Sequence, residues 1–200
     1  MSLNTYQFVE RPAPAGATLF FTFHGTGGDE QQFFELAQNL MPAAHIISVR
    51  GDVSEHGALR FFKRTGEGVY DMEDLALRTK AMAEFVAAHK LRTKATRVIG
   101  LGYSNGANIL ASMMFKTPAL FDDAVLMHPL IPWLPADQPG LAGKRVLITA
   151  GKRDPICPAA FSERLGTYFE QQKAETKLLW HEGGHELRQT EIDAAKLFLA

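Results

Sequence analysis

The chain has 200 residues, 46% hydrophobic and 22% charged, and 21 Lys plus Arg against 22 Asp plus Glu leave a formal net charge of −1. That balance supplies no bulk field to draw the chain to nucleic acid or to an anionic membrane, and the length predicts one globular domain over residues 1–200. The N-terminus lacks a basic region followed by an apolar one, the apolar stretch at 17–23 is too short to span a bilayer, and a single cysteine, Cys157, rules out an intrachain disulfide; a cytoplasmic protein is expected.

In chain order, β-rich runs at 18–23, 46–49, 97–101, 124–127, 145–149 and 177–180 alternate with helical periodicity over 30–40, 72–89, 105–115, 159–171 and 186–199. This alternation predicts an α/β fold, with a mostly parallel central sheet covered by helices on both faces and no cap domain. In such sheets ligands bind beyond the carboxyl ends of the strands, so the residues that follow each strand become the functional candidates.

The first of these strands runs into His24-Gly25-Thr26-Gly27-Gly28. The glycines let the backbone approach a substrate, which makes the Thr26 amide a candidate anion donor and His24 a candidate pocket residue. Residues 51–70 form a long connection, and such loops in compact domains are usually functional. Phe61 and Phe62 are its candidate pocket walls, with aromatic packing under a basic loop as the alternative. The next helix starts acidic (Asp71, Glu73, Asp74) and ends basic (Lys90, Arg92, Lys94), which suits the helix dipole and calls for no catalytic role.

The strand at 97–101 leads into Gly102-Tyr103-Ser104-Asn105-Gly106 and then into a helix-compatible stretch. A serine at the tip of such a strand-turn-helix sits at strained backbone angles, so its neighbours two before and two after must be nearly free of side chain; Gly102 and Gly106 meet that need. The Asn105 amide, immediately after the serine, is the second candidate anion donor. His128 follows the strand at 124–127 as a candidate to border the substrate. The stretch after it carries four prolines (129, 132, 135, 139) and is too short to fold as a lid. Ile131, Trp133 and Leu134 in that stretch are candidate apolar walls. Asp154 lies in the loop after the strand at 145–149, and His181-Glu182-Gly183-Gly184-His185 follows the last strand. A serine nucleophile needs a base, and the base needs an acid that fixes its tautomer; the order Ser104, Asp154, His185 is the one this fold uses.

These motifs resemble the α/β-hydrolase-fold serine hydrolases of the carboxylesterase/phospholipase group. The resemblance covers nearly the whole chain and rests on His24-Gly-Thr-Gly-Gly-Asp-Glu30, Gly102-Tyr-Ser-Asn-Gly-Ala-Asn108, Gly151-Lys-Arg-Asp-Pro155 and Gly184-His185-Glu186. Arg60-Phe-Phe-Lys-Arg64 with Gly68-Val-Tyr-Asp71 is similar to the subgroup of small hydrolases associated with hydroquinone and quinone resistance. Many esterases of the wider family carry Gln-Gly-Gly after the nucleophile, where this chain has Asn105-Gly106-Ala107. That departure weakens the transfer of the substrate preferences of the acyl-protein thioesterases and leaves the Ser104, Asp154, His185 assignment intact.

Two motifs are decoys. His181-Glu182-x-x-His185 spells a zinc-protease motif, but Gly183 and Gly184 would each cost about 1 kcal/mol relative to Ala in the helix that motif needs. No metal is expected, and His181 reads as a strand-end or pocket residue. Gly100-x-Gly102 with Gly106 imitates a dinucleotide fingerprint whose third glycine comes one position late, so no cofactor is expected. Cys157 reads as a buried structural thiol. The expected activity is hydrolysis of small to medium carboxylic esters or thioesters through an acyl-enzyme, with Ser104 attacking, His185 as base, Asp154 orienting it, and the Thr26 and Asn105 amides holding the oxyanion. The expected partner is a small-molecule ester, without nucleic acid or stable membrane association; a homodimer is left open. The alternatives are a ligand-binding protein that keeps the fold without turnover, and a zinc metallohydrolase.

Overall fold

The computed structural model describes residues 3–200. The elements in chain order are β1 (Phe8–Arg11), β2 (Leu19–Phe23), α1 (Phe34–Leu40), β3 (His45–Val49), β4 (Val53–Glu55), β5 (Ala58–Arg60), β6 (Arg64–Gly66), β7 (Val69–Tyr70), α2 (Met72–Thr93), β8 (Val98–Tyr103), α3 (Asn105–Lys116), β9 (Asp123–Met127), β10 (Arg145–Gly151), α4 (Ala159–Gln171), β11 (Glu175–His181) and α5 (Gln189–Leu199). Seven strands form one sheet in the order β1-β3-β2-β8-β9-β10-β11. Within this sheet, among the described residues, only the β1–β3 pairing is antiparallel.

The core lies in two layers because side chains alternate along each strand. Phe20, Ile46, Ile99, Leu101 and Val125 pack under α1 and α5 with Phe33, Ala37, Ala195 and Phe198. Their neighbours Phe21, Ile47, Val98, Ala124 and Ile148 face α2, α3 and α4 with Phe85, Ile109 and Phe169. Strands β2, β3 and β9 are buried at every position, as strands covered on both faces must be. The Asp71 carboxylate caps α2 by accepting the Asp74 amide, and Lys94 closes that helix in the left-handed region.

Several elements go beyond the sequence reading. Strand β1, four half-buried residues with no alternation, extends the sheet through β3. The long 51–70 connection holds two hairpins, β4–β5 and β6–β7. The first turns through His56 and Gly57, both at positive φ (51° and 90°), as a two-residue hairpin turn requires. Helix α1 starts at Phe34 rather than residue 30, because Asp29 holds the Gln31 amide and Glu30 is paired with Arg50. Helix α5 starts at Gln189 rather than 186, with Glu191 accepting the Arg188 amide at the cap. Between β9 and β10 there is only one short 3-10 turn, Pro139–Leu141, so no cap covers the carboxyl edge. No helix among the described residues is long and apolar enough to cross a membrane.

Candidate active site

Ser104 sits between β8 and α3 at φ 51° and ψ −115°, a left-handed conformation held by its amide donating to Met127 O at 2.8 Å. The turn is possible only with glycine on either side. A Cβ on Gly106 would run into the carbonyl oxygens of Phe23 and His24, and one on Gly102 into Gly106 O and the Ala107 amide.

The loops after β10 and β11 bring the other two residues in. The Ile156 and Cys157 amides donate to Asp154 Oδ1 at 2.8 and 2.9 Å, which leaves Oδ2 turned to the imidazoles. His185 Nδ1 lies 2.7 Å from Asp154 Oδ2, and its Nε2 lies 2.9 Å from Ser104 Oγ. The Tyr103 hydroxyl donates to His185 O at 2.6 Å. Burial raises the Tyr103 pKa to about 12, so that donor keeps its proton. The 181–185 loop crosses directly over the end of β10: the Lys152 and Arg153 amides donate to His181 O and Gly183 O at 2.9 and 3.0 Å. A Cβ on Gly151 would strike Gly184 O.

Thr26 and Asn105 both border the cleft beside Ser104, with Arg60, Arg64, Tyr70, Asn108 and Cys157. Asn105 opens α3, so its amide lacks an intrahelical acceptor, and no acceptor for the Thr26 amide lies among the described residues. The Arg60 guanidinium, itself only 3% exposed, donates to Thr26 Oγ1 at 2.6 Å and to Phe62 O at 3.2 Å, fixing the loop that carries Thr26. The Asn105 carboxamide accepts the Phe61 amide at 2.7 Å, while its Nδ2 is buried without a protein partner. The cleft is small, about 30 Å³, and mostly polar.

Six candidate pocket or wall residues are placed elsewhere. Phe61 and Phe62 are fully buried in the core, Phe61 against Phe23 and His24, and Phe62 against Tyr70. Both rings belong to the core cluster that includes Phe23 and Leu75, where burying a large aromatic is favourable. His24 is buried too. Its Nδ1 meets Gly25 O at 2.7 Å and its Nε2 accepts the Gly51 amide at 2.9 Å, so it pins the loop; burial lowers its pKa. Trp133 packs on Tyr70 and, with Leu134, lines a separate groove of about 850 Å³ between α2, α3 and residues 133–138. Ile131, the other candidate wall, is buried in the core.

His128 does not border the cleft. It lies behind Asp154, fully buried, with Nδ1 2.8 Å from Asp154 Oδ2 and Nε2 3.0 Å from Glu191 Oε1. Glu191, missed in the sequence, also accepts the Thr149 hydroxyl at 2.6 Å and the Arg188 amide at 2.7 Å. Burial opposes ionisation of Asp154 and Glu191, yet hydrogen bonds from His128 and, respectively, His185 and Thr149 leave both carboxyls below their ordinary values. Cys157 is buried and its thiol is pushed well up, as a structural thiol should be; Sγ contacts His128 O at 3.2 Å. Segment 181–185 ends a strand and continues as a loop. His181 and His185 therefore do not share a helical face, and the zinc-protease arrangement is not formed.

The profile of the dienelactone hydrolase family matches residues 61–193. The chain belongs to the dienelactone hydrolase family. It is 43% identical over 175 residues to "Putative hydrolase MhqD" of Bacillus subtilis (strain 168), covering 86% of this chain and 88% of that one. Among solved structures it is similar to protein Atu2452, of unknown function, from Agrobacterium tumefaciens str. C58, with 53% identity, a TM-score of 0.95 and coverage of 100% and 98% of the two chains. It is also similar to a Bacillus cereus carboxylesterase, with 38% identity, a TM-score of 0.90 and coverage of 98% and 94%. The family is one of α/β hydrolases. Neither Asp154 nor Ser104 depends on that match for its geometry.

Proposed function

We propose that this chain hydrolyses carboxylic esters or thioesters of small to medium size through an acyl-enzyme. The observation that carries the reading is one imidazole bridging two partners: His185 Nε2 at 2.9 Å from Ser104 Oγ and Nδ1 at 2.7 Å from Asp154 Oδ2. With Nδ1–H donating to the carboxylate, the Nε2 lone pair faces the serine hydroxyl and takes its proton as Oγ bonds to the substrate carbonyl carbon. The developing oxyanion is held by the Thr26 and Asn105 amides. His185 returns the proton to the leaving oxygen or sulfur as the carbonyl–leaving-group bond breaks. Water then repeats the attack on the acyl-enzyme, losing its proton to His185, and free Ser104 and a carboxylic acid result. The similarity to a carboxylesterase supports the substrate class.

Fluorophosphonate treatment followed by mass spectrometry tests the reading. One adduct on Ser104 is expected, and Ser104→Ala and His185→Ala should each lose about 10⁶-fold in kcat on a p-nitrophenyl ester. An adduct on another residue, or a Ser104→Ala enzyme that still turns over, would overturn it.

A further inference from the structure

The His128 side chain is fully enclosed, as are those of Asp154 and Glu191 beside it, and His128 follows β9 at φ 51°. Each ring nitrogen faces a carboxylate oxygen, Asp154 Oδ2 at 2.8 Å and Glu191 Oε1 at 3.0 Å. A neutral imidazole has one N–H and one lone pair, so it would turn a lone pair on one of these oxygens in a dry interior. Protonating a carboxylate instead is disfavoured by the donors around it. Asp154 Oδ1 receives two amides, and its Oδ2 receives His185. Glu191 receives the Thr149 hydroxyl and the Arg188 amide. His181 accepts the Gly183 amide at Nδ1, which leaves its Nε2 as the donor, 3.4 Å from both Glu191 Oε2 and His128 Nε2.

We infer that His128 is an imidazolium held between Asp154 and Glu191, and that it is a positioning residue which clamps the Asp154 carboxylate and sets the charge that His185 meets. The inference rests on the reading of Ser104, His185 and Asp154 as the reacting array. Asp154 and Glu191 carry two negative charges and His128 one positive, so the cluster presents one net negative charge to His185. Without Glu191, the Asp154–His128 pair would be neutral and the base would lose its anionic partner. The other groups facing His128 are the His185 ring, the Tyr103 ring, the His181 ring and the Cys157 thiol. Burial alone would lower the His128 pKa, but the hydrogen bonds and charges of Asp154 and Glu191 outweigh it and raise the value to about 9.

Two measurements test this. In protein labelled with ¹⁵N and ¹³C and assigned through its backbone, both ring nitrogens of His128 should carry protons at pH 7.5. One nitrogen with lone-pair character at that pH overturns the inference, whatever the activity. The pH profile of kcat/KM on a p-nitrophenyl ester supplies the second readout. Removing the cation in His128→Asn should move the acid limb up by about one pH unit, since a unit charge near the base is lost. Removing its counter-anion as well, in His128→Asn with Glu191→Gln, should bring the limb back toward wild type. A purely structural His128 would lower kcat or stability in both variants and leave the limb in place, which also overturns the inference. The failure of the acyl-enzyme reading is distinct: wild-type protein would then take no fluorophosphonate on Ser104, while the ring-nitrogen measurement would still report on His128.

Discussion

At His128, the proton that joins two carboxylates also makes stability depend on alkaline pH. Its folded pKa of about 9 lies above the ordinary value of 6.5, so its contribution is complete below pH 6.5 and is lost as pH rises through 9. Asp154 and Glu191 act in the opposite sense, since their folded values are lowered: their contribution is present above ordinary carboxylate values and is lost only as acid reaches the depressed ones. The unfolding free energy from urea titrations should therefore fall between pH 6.5 and 9, by at most about 3 kcal/mol. A flat profile over that window would contradict the charge assignment. Four histidines, His24, His128, His181 and His185, lie at or just after the ends of strands of the main sheet, a signal the four share in the sequence. What separates them is direction: His24 turns into its own loop, His128 into the buried side of Asp154, and only His185 reaches Ser104. Side-chain direction at a strand end depends on which loop crosses above it. That is why Ser104, Asp154 and His185 were legible in order and spacing, whereas the pairing of His128 with Glu191 across 63 residues was not.

At the scale of elements, the Ser104 turn was legible because its requirement is local: a serine at positive φ needs Gly102 and Gly106 whatever the rest of the chain does. The long-range counterpart went unread. Gly151 ends β10 with the Gly184 carbonyl lying where a Cβ would go, so it lets the His185 loop cross the sheet edge. A Gly151→Ala substitution should lift that loop rather than the core, since the strand and the loop meet through backbone. Displacing a reacting group by about 1 Å costs on the order of 10²-fold in rate. Gly151→Ala is accordingly expected to lower kcat by about that factor while thermal unfolding shifts by only a few degrees; wild-type kcat would show that the loop has slack. Strand β1 and the hairpins β4–β5 and β6–β7 escaped notice for another reason. Each is two to four residues long, and periodicity needs more than that to register.

For the whole molecule, alternating strands and helices sufficed for the parallel sheet and its two-sided core, and the short 128–144 stretch for the missing cap. What they could not supply was the shape of the cleft, because it is built by the hairpins at 53–70 and by Leu130 and Ile156 rather than by the strand ends alone. The result reverses the expectation of apolar walls. Beside Ser104 the space is about 30 Å³ and is edged by Arg60, Arg64, Tyr70 and Asn108, whereas the larger apolar groove of about 850 Å³ shares no lining residue with it. Tyr70 is held on both sides, donating to Leu130 O at 2.9 Å and accepting from Asn108 Nδ2 at 2.8 Å, so the cleft does not widen by a simple rotamer change. That volume is roughly one water's share of the liquid, so an acyl chain in this space finds room for about one carbon and then meets polar groups that it would have to desolvate. Each methylene that must stay in water also forgoes roughly 0.8 kcal/mol of burial. With a constant p-nitrophenyl leaving group, kcat/KM should therefore be highest for acetyl to butyryl esters and stop rising or fall from hexanoyl onward. A maximum at decanoyl or longer would mean that the chain reaches the groove under Trp133, and that the wall formed by Tyr70 and Leu130 opens during turnover.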